Sequence, residues 1–186
     1  QIYRQNLTTA FTFKVLASGE KYLFSQQRMA TVTLTNVVYP VSIKNQYIKH
    51  YTPGRRWNCL YTWDSGFIGL GLLEIDLQRA MDNLNTYLTD PDDKETAFVH
   101  HGSPVPVQFY QFLELWNRTQ DQDMLDFFYP RLRQYYNFLA GHTKNSDTRS
   151  CKSNLLQTWS YFYNSGGWDD YPPQWQVKEQ QIKSIT

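Results

Sequence analysis

The feature that most constrains this chain is a run of apolar residues, Leu70, Leu73, Leu77, Met81, Leu84 and Leu88, recurring at steps of three and four. With 3.6 residues per turn, that spacing lays them in one stripe along an α-helix, and such a stripe must be buried against another element. The opposite face carries Glu74, Arg79, Asp82 and Asn85, so the pattern predicts one long amphipathic helix over this stretch. Two further patterns repeat the signal. Phe109, Phe112, Leu113 and Trp116 share a face after Pro106, which suits a first helical turn, and this helix is expected to stop near Asn117. Leu125, Phe128, Leu132, Tyr135, Tyr136 and Leu139 make a third stripe, with Asp121 as its cap and Gly141 as its end. Pro130 lies inside it and predicts a kink or a break, because proline removes an amide donor and clashes with the carbonyl four residues back.

Upstream, Glu20 to Asn36 predicts a helix with Leu23, Gln27, Ala30 and Leu34 inward, although Thr31, Val32 and Thr33 oppose it through β-branching; Pro40 is expected to stop the element. Thr9 to Leu16 alternates, with Phe11, Phe13 and Val15 on one side, and predicts a half-buried strand. Residues 1–19 therefore read as a β segment or the end of a preceding domain. Ser42 to Leu60 reads as polar, basic and turn-rich, broken most clearly at Pro53-Gly54-Arg55-Arg56. Asp90 to Lys94 and Thr143 to Ser153 are polar turns, and Leu155 to Tyr163 can add one or two helical turns. The class that emerges is mainly α, built of helix pairs joined by loops.

Composition narrows the function. The 186 residues include 6 Trp, 14 Tyr and 11 Phe, while 19% are charged and the formal net charge is +1. Disordered, solvating and nucleic-acid-wrapping chains need high charge and few rings, so nucleic acid is not an expected partner. No segment approaches the ~18 consecutive apolar residues of a membrane helix, and the N-terminus lacks a charged-then-apolar leader. Cys59 and Cys151 have no metal-binding spacing but can form one disulfide. Asn6-Leu7-Thr8 and Asn117-Arg118-Thr119 fit the N-glycosylation pattern at Asn6 and Asn117, and with the cysteine pair they point to a secreted or secretory-pathway protein.

Three ring-rich loops beside helices concentrate the chemistry: Arg55 to Phe67, His100 to Pro104, and Asn164 to Pro173. Rings beside carboxylates suit a sugar, whose C–H face packs on an aromatic ring while Asp accepts hydrogen bonds from its hydroxyls. A ring that excludes water also disfavours an ionised carboxyl and raises its pKa towards that of a general acid, which Trp168-Asp169 could exploit. The competing reading makes Trp63 and Trp168 core anchors and Asp64 an N-cap. His100-His101 has no third metal ligand at a sensible spacing, so no metal is expected, and His101 fits a sugar hydroxyl better. Asp90, Asp92 and Asp93 lack the Gly and terminal Glu of a calcium loop.

The blocks Tyr61-Thr62-Trp63-Asp64-Ser65-Gly66-Phe67, Leu115-Trp116-Asn117-Arg118-Thr119-Gln120-Asp121, Tyr129-Pro130-Arg131-Leu132 and Ser165-Gly166-Gly167-Trp168-Asp169-Asp170-Tyr171-Pro172 together resemble glycoside hydrolase family 63 from about Arg55 to Thr186. That family comprises processing and microbial α-glucosidases and is related to the trehalases. The resemblance implies an (α/α)6 barrel, of which residues 20–186 would be the N-terminal part, and inverting hydrolysis of a terminal α-glucosidic bond of an oligosaccharide without a cofactor. It implies Asp169 as general acid, Asp64 as a partner for sugar hydroxyls, and Trp63, Phe67 and Trp168 as the subsite lining. The alternatives are a trehalase-like glycosidase and a non-catalytic carbohydrate-binding protein.

An inverting glycosidase needs a second carboxylate about 6.5–9.5 Å from the acid, across the sugar, with water between them. Asp170 is adjacent to Asp169 and cannot lie on the opposite face, and Glu20, Glu74, Glu95, Glu114 and Glu179 sit in helix faces, polar turns or the tail. Four or five helices are also too few for a barrel of twelve. The expectation is therefore an incomplete barrel whose base Glu comes from a further segment or a second chain.

Overall fold

The computed structural model describes residues 2–43, 46–54, 61–88, 90–91, 93, 105–144, 146, 148–149 and 153–156. Helix α1 spans Ile2–Ala10, and a 3-10 turn at Ala17–Tyr22 leads into α2, Leu23–Thr35. Strands β1, Val37–Ile43, and β2, Gln46–Tyr51, follow. Helices α3, Thr62–Leu72, α4, Leu77–Tyr87, α5, Val107–Thr119, and α6, Gln122–Leu139, complete the described part. The chain is mainly helical, as its apolar spacing predicts.

The N-terminal strand is not formed. Thr9 and Ala10 close α1, where the hydroxyls of Thr8 and Thr9 donate to the carbonyls of Arg4 and Gln5 one turn back, each at 3.0 Å. Residues 11–16 are irregular, and Phe11 is exposed rather than inward. An alternating segment becomes a strand only with a neighbour to bond, and the two strands described here bond each other. They form an antiparallel hairpin, Val37 opposite Tyr51 and Ile43 opposite Gln46, whose second strand lies in the stretch from Ser42 to Leu60 that reads as turn-rich in the sequence. Pro40 does not stop α2, which ends earlier with Asn36 as its C-cap; it sits in β1, where the register is irregular between Val38 and Val41. A residue with no N–H cannot donate to the ladder, which fits an irregularity there.

The long helix expected over residues 70–88 is two helices. After Leu72 the chain turns, with the amides of Ile75 and Asp76 both donating to the Leu72 carbonyl. Asp76 then starts α4, its carboxylate accepting from the Arg79 amide at 3.2 Å. The apolar rhythm continues across this turn because Leu72, Leu73, Leu84 and Leu88 all enter the same core. Leu77, in the middle of the expected stripe, is 41% exposed.

The inward face of α2 at Ala30 and Leu34 follows the sequence pattern. So does the start of α6, where the Asp121 carboxylate accepts from the amides of Asp123 and Met124 at 2.9 and 3.2 Å. Gly141, at φ 72°, ends α6 in the left-handed conformation expected of a helix-terminating glycine, and its amide donates to the Phe138 carbonyl. Pro130 does not break α6, which continues through it. The last carbonyls of that helix are held by the loop beyond: Thr148 Oγ1 donates to Leu139 O at 2.9 Å and Arg149 Nε to Ala140 O at 2.8 Å.

Packing between the helices follows from their side chains. Helix α3 lies directly on α4 and α5 because its buried face is small, consisting of Thr62, Ser65, Gly66 and Gly69 before Leu72. A Cβ on Gly66 would overlap the Val107 side chain, and one on Gly69 the Gln111 amide, so glycine is what permits the approach. Helix α6 meets α5 through rings instead, Phe109 stacking on Tyr135 at 5.7 Å and Phe112 meeting Phe128 edge-on at 6.0 Å. No helix among the described residues is long and apolar enough to cross a membrane.

Candidate functional site

Helix α3 begins inside the first of the blocks that carry the resemblance, Tyr61 to Phe67. Tyr61 is its N-cap, so Asp64 is not the cap but lies in the first turn, where a carboxylate is favoured by the positive end of the helix dipole. Three of the expected sugar-binding residues are brought together on this helix. Thr62, Ser65, Gly66 and Gly69 point into the protein, while Trp63, Asp64 and Phe67 lie on the other side. Trp63 and Asp64 are half-buried and Phe67 is 50% exposed. The rings of Trp63 and Phe67 meet edge to face, with centroids 5.0 Å apart and planes at 63°. Trp63 is therefore not a fully buried core anchor.

Beneath that face runs a layer of buried polar side chains. Gln108 on α5 donates from Nε2 to the Thr62 carbonyl at 2.7 Å, and its Oε1 accepts from the Tyr135 hydroxyl on α6 at 3.1 Å. Asn83 on α4 donates from Nδ2 to the Ser65 carbonyl at 2.9 Å and to Ser65 Oγ at 3.2 Å. Gln111 donates to the Ala80 carbonyl at 2.8 Å, tying α5 to α4. Asn83, Gln108 and Gln111 are fully buried. Burial pushes the Tyr87 phenol, one turn after Asn83, well above its ordinary 10.0; a hydrogen bond with the Ser65 side chain opposes the shift, and the nearby Asp64 carboxylate adds to it. Burial likewise raises the Tyr135 phenol. Both phenols are protonated donors at any physiological pH.

This polar layer is absent from the sequence reading. Its signal is Gln108, Gln111 and Leu115 at helical spacing, one position away from the aromatic face that the rings suggest. The rings Phe109, Phe112 and Trp116 are half-buried and Leu113 is exposed.

Asp169, Trp168, His101, Cys59 and Cys151 lie outside the described residues. The two sequons differ. Asn117 is exposed near the end of α5. Asn6 is 1% exposed: its Nδ2 donates to the Leu34 carbonyl at 2.6 Å, and its Oδ1 accepts from Arg79 Nη1 at 2.6 Å. The nitrogen that would carry a glycan is thus bonded and enclosed between α1 and α2 in the folded chain. Arg79 also donates to the Tyr51 hydroxyl at 3.1 Å and pairs with Asp76, so Asn6 belongs to a structural cluster linking α1, α2, β2 and α4.

Among the described residues no group of three or more His, Cys, Asp or Glu could hold a metal ion. No protein-family model, curated protein or solved structure matches the chain.

Proposed function

We propose that this chain is the acid-bearing part of an inverting exo-α-glucosidase of the family 63 type, with an (α/α)6 barrel as its complete architecture. The observation that carries the reading is the first turn of α3, where the Trp63 and Phe67 rings meet edge to face and Asp64 lies in the same turn of a small-residue helix packed against its neighbours. A glucosyl unit has an apolar C–H face for such rings and vicinal hydroxyls that donate to such a carboxylate. In this proposal Asp64 binds hydroxyls of the sugar to be released, and Trp168 and His101 complete the subsite. Asp169 protonates the leaving oxygen. The base that activates water comes from a Glu on a further segment or a second chain, since inversion requires it across the ring from the acid. The protein is placed in the secretory pathway or outside the cell, with Asn117 as its glycan site and an oligosaccharide as its substrate.

The test is Asp169→Asn in the enzyme assembled with its base-bearing segment. Loss of the proton donor lowers kcat for glycosides with poor leaving groups by at least about a hundredfold, with sugar affinity retained. Near-normal turnover rejects the assignment. Running trehalose beside an α-linked glucose disaccharide with a reducing end separates a trehalase from the proposed α-glucosidase.

A further inference from the structure

The first turn of α3 carries the candidate sugar-binding face, yet its N-cap, Tyr61, makes no side-chain capping bond. Two buried amides from other helices hold that turn. Gln108 on α5 reaches the Thr62 carbonyl at 2.7 Å, immediately before Trp63. Asn83 on α4 reaches the Ser65 carbonyl at 2.9 Å and hydroxyl at 3.2 Å, immediately after Asp64. Trp63 and Asp64 are therefore pinned on both sides. A carbonyl has two lone pairs, so it can take an amide in addition to a helical bond. The Gln108 side chain is itself fixed, because its Oε1 accepts from Tyr135 on α6 at 3.1 Å.

We propose that Gln108, oriented by Tyr135, and Asn83 are positioning residues that set the direction in which Trp63 and Asp64 meet a sugar. The inference rests on the sugar-binding reading of that face. Apolar side chains of similar size would bury the same helix surface without the desolvation cost of amides. What amides add is direction: Gln108, bonded through both its nitrogen and its oxygen, and Asn83, bonded through its nitrogen, hold one arrangement of backbone atoms in a dry core, while apolar contacts tolerate sliding. Binding of a sugar to a carboxylate and two rings is sensitive to shifts of that kind, because hydrogen-bond geometry weakens steeply with angle. The glycines at 66 and 69 serve the same end by letting α5 come close enough for Gln108 and Gln111 to reach across.

The experiment compares wild type with Tyr135→Phe, which removes one hydroxyl, and with Gln108→Met, which keeps the length of the side chain but donates nothing. Deoxynojirimycin, a glucose-shaped iminosugar, is titrated calorimetrically into each protein, and amide hydrogen exchange is followed over residues 62–67 of α3 and over α6. The expected result is affinity weakened about threefold to tenfold, with exchange accelerated about tenfold in the first turn of α3 and little changed in α6. A uniform rise in exchange with unchanged affinity means that the network only stabilises the fold, and overturns the proposal. If Gln108→Met fails to fold, Tyr135→Phe alone decides between these outcomes. A wild type that binds no such ligand rejects the sugar reading and the proposed purpose of the network with it, whereas ligand binding that is equal in wild type and variants rejects the network's role alone.

Discussion

The Asn83 side chain on α4 donates to both the carbonyl and the hydroxyl oxygen of Ser65 on α3, with no water-exposed surface between them. One amide thus fixes the helix that carries Trp63 and Asp64. Asn83→Ala removes both bonds; the Ser65 hydroxyl keeps its hydrogen bond with Tyr87, but its carbonyl loses the side-chain donor in a dry site. The expected cost is about 2 kcal/mol, read as a lower urea midpoint with an unchanged slope.

The glycines of α3 are expected to behave in opposite ways. Gly71 has open space where a Cβ would be, so Gly71→Ala gains helix propensity and stabilises by about 0.5–1 kcal/mol. Gly66→Ala forces a Cβ into Val107, a side chain rooted in the first turn of α5, and destabilises by about 1–3 kcal/mol. Thermal melts of the two variants should move in opposite directions.

How much was legible in the sequence depended on whether one residue type had one physical meaning. Asp121 as a cap and Gly141 as a helix end were legible because a short acceptor and a missing Cβ have few other uses. The inward face at Ala30 and Leu34 followed from spacing alone. The turn at residues 73–76 was hidden because apolar residues face a shared core from both helices it joins. The hairpin was hidden by the turn-forming residues around it, and the short N-terminal segment alternated without having a strand beside it. Of the site, the grouping of Trp63, Asp64 and Phe67 could be read from the block itself. Gln108 and Asn83 could not, since a polar residue on a helix reads as solvent-facing until a partner carbonyl on another helix is known.

The sequons give a compartment-dependent result. Expressed through a eukaryotic secretory pathway, the chain should carry a glycan at Asn117 and none at Asn6, whose side-chain nitrogen is bonded and enclosed. Peptide mapping after glycosidase treatment in heavy-oxygen water reads the occupancy at each site. A fully occupied Asn6 would contradict the docking of α1 on α2.

Tyr51, Tyr87 and Tyr135 predict the response to alkali, since burial raises each phenol above 10.0. A phenol with a higher pKa in the folded protein keeps its proton after the unfolded chain has released it. Stability is therefore full below the unfolded value of 10.0 and falls as pH rises towards the folded values, by up to about 1.4 kcal/mol per pH unit for each phenol. Urea unfolding above pH 10.0 should show this decline, and Tyr135→Phe should make it shallower by one proton. A stability that does not fall over that range would show that these phenols are not buried as described.

The most direct test of the central claim follows the first glucose released. The assembled enzyme is mixed with an α-linked glucose disaccharide, and proton NMR is recorded before the product anomers equilibrate. Inverting hydrolysis with Asp169 as the acid predicts β-glucose as the first product, and none from Asp169→Asn. Release of α-glucose first, or no hydrolysis of any α-glucoside by the wild type, would contradict the account.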